Sequence, residues 1–235
     1  MRKVVVNRSE TLSPSVKGLV LACADGQPLP YIPGQWINLH VPYAGVTDKR
    51  SYSIASAPSL AHPEQFEVAV TRVDAGSISL ALHALPDGEA LSFEGPYGFF
   101  TREGMEQLPA LFVGTGTGVG PLRAMIQAEL ERDAGPPLTL VFGCRTQADI
   151  LYREQFEALA AKHGRFSFEP TLSRADAGWT GRQGYVQAQL PELVEKLGRP
   201  HVYVCGLSGM VNDVRALLKQ QLGYDRKHIH TERYD

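Results

Sequence analysis

Three short, almost wholly apolar runs, ALFVG (110–114), TLVFG (139–143) and HVYVCG (201–206), each lead into a segment of helical period. A strand that is apolar on both faces belongs in a parallel sheet covered by helices on both sides, because an exposed antiparallel strand would alternate. These runs predict an α/β parallel-sheet domain. The first hundred residues differ in texture: their apolar stretches, Lys3 to Val6, Val16 to Ala24, Gln35 to Val41, Phe66 to Val73 and Ala90 to Phe93, are short and broken by Gly and Pro. That spacing predicts an antiparallel β-barrel. In FEVAVTRV, Phe66, Val68 and Val70 share one face and Glu67, Ala69 and Thr71 the other, the pattern of a half-buried strand. A short helix is expected from Ser77 to Leu85. The division expected is 1–104 for the barrel and 105–235 for the α/β domain, with TREGMEQLP as the linker.

Composition narrows the functions open to such a chain. Its 43% hydrophobic content is too high for a solvated coil, and 23 basic against 25 acidic residues leave a net charge of −2, which disfavours a nucleic-acid partner. No apolar run reaches the roughly 18 residues of a bilayer span, and MRKVVVNRSE has too short an apolar core for a secretory signal. A cytoplasmic monomer is expected. Cys23, Cys144 and Cys205 lie far apart, so no spacing fits a zinc or iron–sulfur site, and the seven histidines form no HExxH pair. Any redox cofactor must be held without thiolates.

Two segments can carry chemistry. GTGTGVGP, Gly114 to Pro121, follows an apolar strand and opens a helix bearing Leu122, Met125, Ile126 and Leu130. Its glycines allow close backbone approach, and free N–H groups at the helix start suit a pyrophosphate. The strict GxGxxG fingerprint fails, since its third glycine falls on Val119 or Pro121, and VFG runs into Cys144 and Arg145 where an acidic ribose ligand would stand. A standard Rossmann dehydrogenase is disfavoured. In RSYSIASAPS, Arg50 can pair with phosphate, Tyr52 can offer a ring face, and Ser51 and Ser53 can hydrogen-bond a heterocycle. Both segments also fit blander structures, a packing turn and a polar strand turned by proline. GLSGM has Met210 where a nucleophile elbow needs glycine, and is rejected.

Taken in order with four further segments, these two resemble the ferredoxin-NADP reductase family of flavoproteins over nearly the whole chain. Arg50, Tyr52 and Ser53 are similar to its RxYS flavin motif, and Gly76 to Ser79 to its GxxS phosphate loop. GTGTGVGP resembles its nucleotide loop, VFGCRTQADILYREQF its FGxRxxxDxLYxxEF segment, VYVCGLSGMVNDV its cysteine–glycine motif, and HTERYD its closing acid-x-aromatic ending. The resemblance implies an FAD-binding barrel and a pyridine-nucleotide domain. It implies that Arg50, Ser51, Tyr52, Ser53, Gly76, Ser77, Ile78 and Ser79 hold FAD and that Tyr234 covers the flavin. For the nucleotide it implies Gly114, Thr115, Gly116, Thr117, Gly118, Arg145 and Gly206, with Ser53, Cys205, Glu232 and Tyr234 at the reacting centre. Tyr234 can instead pack on the barrel or fray, because Asp235 follows it. Cys23 and Cys144 read as core residues.

Ser173, Arg174 and Arg182 offer a hydroxyl and two guanidinium groups for a 2′-phosphate and favour NADPH. Asp176 argues mildly for NADH. The function implied is hydride transfer from NADPH to FAD, then single-electron transfer to ferredoxin, flavodoxin or another redox protein. The alternatives are an NADH-dependent reductase component of an oxygenase or synthase, and a non-catalytic nucleotide sensor.

Overall fold

The computed structural model describes residues 1–74 and 77–234; Gly76 and Asp235 lie outside the described residues, as does the side chain of Ser77. The first half forms β1 (Arg2–Ser13), β2 (Val16–Cys23), β3 (Trp36–Tyr43), β4 (Val46–Ser53), β5 (Gln65–Thr71), α1 (Ser77–Ala84) and β6 (Ala90–Tyr97). The strands pair antiparallel in the order β4-β3-β6-β1-β2-β5. A further antiparallel bridge from Ile54 to Val68 brings the two edges together. The sheet thereby curls toward a barrel, whose interior holds Val4, Leu19, Leu21, Ile37, Leu39, Phe66, Val68 and Phe93, with Ile78 and Leu82 of α1 packed among them.

Strand β5 departs from the half-buried pattern. Phe66, Val68 and Val70 face the barrel core as expected, but Glu67 and Ala69 on the opposite face are buried as well. The second half of the chain covers that face. Glu67 accepts hydrogen bonds there from Arg123 at 3.0 Å and from the Tyr152 hydroxyl at 2.6 Å.

That second half runs β7 (Ala110–Thr115), α2 (Val119–Leu130), β8 (Leu138–Cys144), α3 (Arg153–Lys162), β9 (Phe166–Leu172), β10 (Arg182–Gln183), α4 (Leu190–Lys196), β11 (His201–Gly206), α5 (Ser208–Gln220) and β12 (Ile229–Arg233). Its sheet is parallel, in the order β10-β9-β8-β7-β11-β12. The three apolar runs are β7, β8 and β11, side by side in the middle. Successive residues serve opposite layers: Phe112 and Leu140 join Leu122 and Ile126 of α2, while Leu111, Val113 and Val141 join Leu190 and Val214. Chain order reverses at β7, which lies between β8 and β11, and such a switch point opens a crevice at the strands' carboxyl ends.

The connection between the halves is anchored by Arg102, a residue of the linker TREGMEQLP that no local pattern marks. Arg102 is 4% exposed; its Nε donates to Glu129 at 3.2 Å, and its Nη2 donates to the carbonyls of Met105 and Leu108. Its guanidinium carbon lies 5.1 Å from the Tyr203 ring centre. Removing one partner of a buried ion pair strands the other charge, at a cost of about 3–5 kcal/mol. Arg102→Met is therefore expected to lower the urea midpoint sharply. Adding Glu129→Leu should recover most of the loss, and equal stability of wild type and single variant would contradict the role assigned to the pair.

Candidate functional site

A cleft of about 1740 Å³ separates the edge strand β4 from the carboxyl ends of the parallel sheet. Single small-molecule pockets run to roughly 1,000 Å³, so this space is large enough for two dinucleotides.

The barrel contributes Arg50, Ser51, Tyr52 and Ser53, whose places on β4 are fixed by pairing with β3: Leu39 faces Arg50, Ile37 faces Tyr52 and Trp36 faces Ser53. Because Ile37 and Leu39 point into the core, Tyr52 packs against it, and burial pushes its phenol up to about 12. Tyr52 is neutral at physiological pH. Arg50 is exposed and holds Asp48 at 2.9 Å, a surface pair that a phosphate can displace at little cost. Ser51 donates to Asn38 at 2.9 Å. Ile78 and Ser79 also line the cleft, but the Ser79 hydroxyl accepts from the Val73 N–H at 2.9 Å and donates to the Val73 carbonyl at 3.2 Å. Ser79 shapes the loop through these bonds.

On the other wall, β7 ends in Thr115, a 3-10 turn spans Gly116–Gly118, and α2 begins at Val119. Gly116 sits at φ +54°, and a Cβ on Gly118 would lie 2.4 Å from the Cys205 carbonyl oxygen. Gly118 thus admits β11, where the sequence reading had it admitting a ligand. Thr115 Oγ1 is buried without a hydrogen-bond partner among the described residues, beside Gly206. An orphaned hydroxyl at a helix start with no acid in its first turn fits the pyrophosphate expected there.

At the ends of β8 and β9, backbone bonds from Ser173 to Cys144 at 3.0 Å and from Arg174 to Arg145 at 2.8 Å set Arg145 and Arg174 side by side on the cleft wall. Neither guanidinium has an ion-pair partner among the described residues. Arg182 is a correction. It is bound to Glu169 at 2.9 Å, to Gln189 at 3.0 Å and to both oxygens of Glu192, and it does not line the cleft. Charges ten and thirteen residues away captured it. Asp176, the residue that favoured NADH, is likewise engaged, by Gln147 and the Gly178 N–H, and stands off the cleft. Cys144, expected in the core, is half-buried and lines the wall.

The walls meet where Ser53 Oγ donates to Glu232 Oε1 at 3.1 Å. Pairing of β11 with β12 places Cys205 opposite Glu232, and Cys205 is fully enclosed, so burial pushes its thiol well up. Tyr234 lines the cleft, held by its N–H to the Gly206 carbonyl at 3.1 Å, with its phenol enclosed beside Cys205, Glu232 and Ser53. Burial raises the Glu232 carboxyl to about 7, against a smaller lowering by Ser53. The sequence reading missed Trp36, which lines the barrel side of the cleft through its pairing with Ser53, and Tyr185, an exposed ring on the parallel-sheet side. Tyr185 stood in the segment GRQGY, where an aromatic after glycine was the available signal.

Two family descriptions match the chain: an oxidoreductase FAD-binding domain over residues 3–101 and an oxidoreductase NAD-binding domain over 112–216. Ferredoxin–NADP reductase B of Sorangium cellulosum (strain So ce56) is 48% identical over 230 residues, covering 95% of this chain and 93% of that one. The chain belongs to the ferredoxin-NADP reductase family. It is an oxidoreductase with FAD-binding and pyridine-nucleotide-binding domains. The reductase component of phenol 2-monooxygenase from Pseudomonas sp. (strain CF600) is 32% identical over 98% of this chain, which spans 64% of that protein's length. Among solved structures, the FAD/NAD-binding domain of nitric oxide dioxygenase from Vibrio cholerae O1 biovar El Tor matches with a TM-score of 0.87 at 26% identity, over 99% of this chain and 98% of that one.

Glu232 makes this family member's stability depend on pH. Its folded pKa of about 7 lies above the ordinary 4.5, so the folded state holds a proton that the unfolded state releases between those values. Stability from this group is full below 4.5 and is lost as pH rises through 7. Compared with Glu232→Gln, the nucleotide-free wild type is expected to lose on the order of 2 kcal/mol over that range, read from urea midpoints. Parallel pH profiles for the two proteins would contradict the raised pKa.

Proposed function

We propose that the chain takes hydride from NADPH onto FAD and passes single electrons to a small redox protein such as a ferredoxin or flavodoxin. The barrel, taken as residues 1–104, carries the FAD site, and residues 105–235 carry the nucleotide site. The observation that carries this reading is the Ser53–Glu232 contact at 3.1 Å, which joins the flavin motif of β4 to the end of the parallel sheet inside one cleft. Bound FAD supplies the chemistry: it accepts a hydride and releases electrons singly. Arg50 offers its exposed guanidinium to the FAD phosphates, and Tyr52 offers a neutral ring face. Thr115, Gly116 and Thr117 with the start of α2 receive the nucleotide pyrophosphate, Gly114 and Gly118 let the turn pack closely behind them, and Gly206 borders it. Glu232 holds or releases a proton at Oε1 near neutral pH, and Ser53 Oγ lies within reach to relay it. Tyr234 stands beside this pair and the enclosed Cys205 and must yield for a nicotinamide to reach them.

NADPH is favoured over NADH because Arg145 and Arg174, with Ser173 between their loops, carry charges that nothing else in the described chain neutralises. A dianionic 2′-phosphate answers that need. The acceptor is a separate protein in this reading, as the name of the Sorangium relative implies. Cys23, Cys144 and Cys205 are free thiols, which suits a reducing cytoplasm.

The direct test is anaerobic addition of NADPH to the FAD-loaded chain, which should bleach the yellow flavin. A chain that cannot be loaded with FAD contradicts the reading. Arg174→Ala should raise KM for NADPH about tenfold and leave NADH nearly untouched, since a remote phosphate contributes uniform binding. Arg182→Ala should leave the preference as it was. Equal losses with both nucleotides in Arg174→Ala would remove the 2′-phosphate assignment. Tyr234→Ser should tighten binding of NADP+ and NAD+ alike, because a ring that must leave lowers apparent affinity. Unchanged titrations would show that Tyr234 does not gate the site.

A further inference from the structure

Arg123 lies in the first turns of α2, the helix opened by the nucleotide loop, and is 6% exposed. Its Nη1 donates to the Ala55 carbonyl at 2.6 Å and to Glu67 Oε2 at 3.0 Å, while Nε and Nη2 both donate to Gln155 Oε1, at 3.0 and 2.6 Å. The guanidinium carbon stands 4.1 Å from the centre of the Tyr152 ring. The Tyr152 hydroxyl in turn donates to Glu67 Oε1 at 2.6 Å, so both carboxylate oxygens are used. Tyr152 adopts φ +56°, a left-handed conformation that a tyrosine rarely takes, and this turns its ring under Arg123 at the start of α3. None of these side chains lines the cleft.

Two features give the cluster a purpose beyond stability. Gln155, the acceptor on Arg123's own side, is neutral, so the counter-charge for this buried cation comes from β5 of the barrel. The cation is neutralised only when the halves are docked, and an unpaired buried charge is costly. The second feature is connectivity. Ala55 follows Ser53 by two residues, and Arg123 follows Pro121, the last residue of the nucleotide loop, by two, so one side chain ties the flavin motif to the pyrophosphate loop.

We propose that Arg123, Glu67 and Tyr152 form a positioning clamp that fixes the nucleotide loop relative to β4, and so set the rate of transfer across the cleft without touching either ligand. The proposal rests on the reading of the cleft given above. Sub-ångström registration governs such rates, and a displacement of about 1 Å can cost a hundredfold.

The test moves the carboxylate from one side to the other. In Glu67→Gln/Gln155→Glu, Arg123 keeps an anionic partner, now on α3, while the charged link between the halves is gone. Flavin reduction at saturating NADPH should fall about tenfold to a hundredfold, with KM for NADPH within about twofold of wild type. A loss of folding alone would not produce that split. A second readout needs no turnover: the Ala57 N–H donates across the interface to Gln127 at 3.0 Å, so peptides spanning 54–58 should exchange hydrogen faster in the variant, with or without FAD. Tyr152→Phe, which removes only one hydroxyl bond, should shift both readouts in the same direction by a few-fold and serves if the double variant does not fold. Wild-type rates and wild-type exchange in a folded variant would overturn the clamp. If NADPH fails to bleach even the wild type, the functional reading fails, and the exchange comparison still decides the clamp.

Discussion

A buried guanidinium with its counter-charge in the other half of the molecule is the constraint on which this structure turns. Interfaces between domains of one chain are commonly polar and permit relative motion. Here a shift of one half on the other that kept Arg123 buried but broke its contact with Glu67 would strand a charge, and Tyr152 and Ala55 share the same contacts. The two sheets are thereby held so that β4 and the ends of β7 and β11 face one another. The cleft is a consequence of that docking, and the Ser53–Glu232 bond is formed inside it.

Charge pairing also decides which basic residues are available to ligands. Arg102, Arg123 and Arg182 are consumed by carboxylates of the chain itself, and each holds a piece of architecture. Arg50 has one exposed partner, while Arg145 and Arg174 have none among the described residues. The distinction follows the cleft: the consumed arginines are absent from its walls and the available ones line them. Cationic groups left uncompensated on a concave surface are what a bound phosphate would satisfy.

Much of this was legible in the sequence. The apolar runs of β7, β8 and β11, each followed by a segment of helical period, foretold a parallel sheet covered by helices on both faces, and the glycine loop lay where strand and helix had to meet. The family resemblance also grouped Glu232 with Cys205, and the structure sets them opposite one another on adjacent strands. What escaped were pairings between residues far apart in sequence. Alternation in FEVAVTRV could show two faces but could not show that α2 and α3 would cover the second. Arg182 looked like a ligand because Glu169 and Glu192 have no local signature as its partners. Trp36 reaches the cleft only through the register of β3 on β4, which no short motif encodes.

The central claim is that a nucleotide on the parallel-sheet wall and a flavin on the barrel wall meet across this cleft for direct hydride transfer. Single-turnover reduction of the FAD-loaded chain by NADPH carrying deuterium at the transferred C4 position tests it most directly. The account predicts flavin bleaching that is several-fold slower than with ordinary NADPH, on the faster-reacting face of the nicotinamide only. Equal rates with deuterium on either face, under conditions where binding is complete, would contradict it.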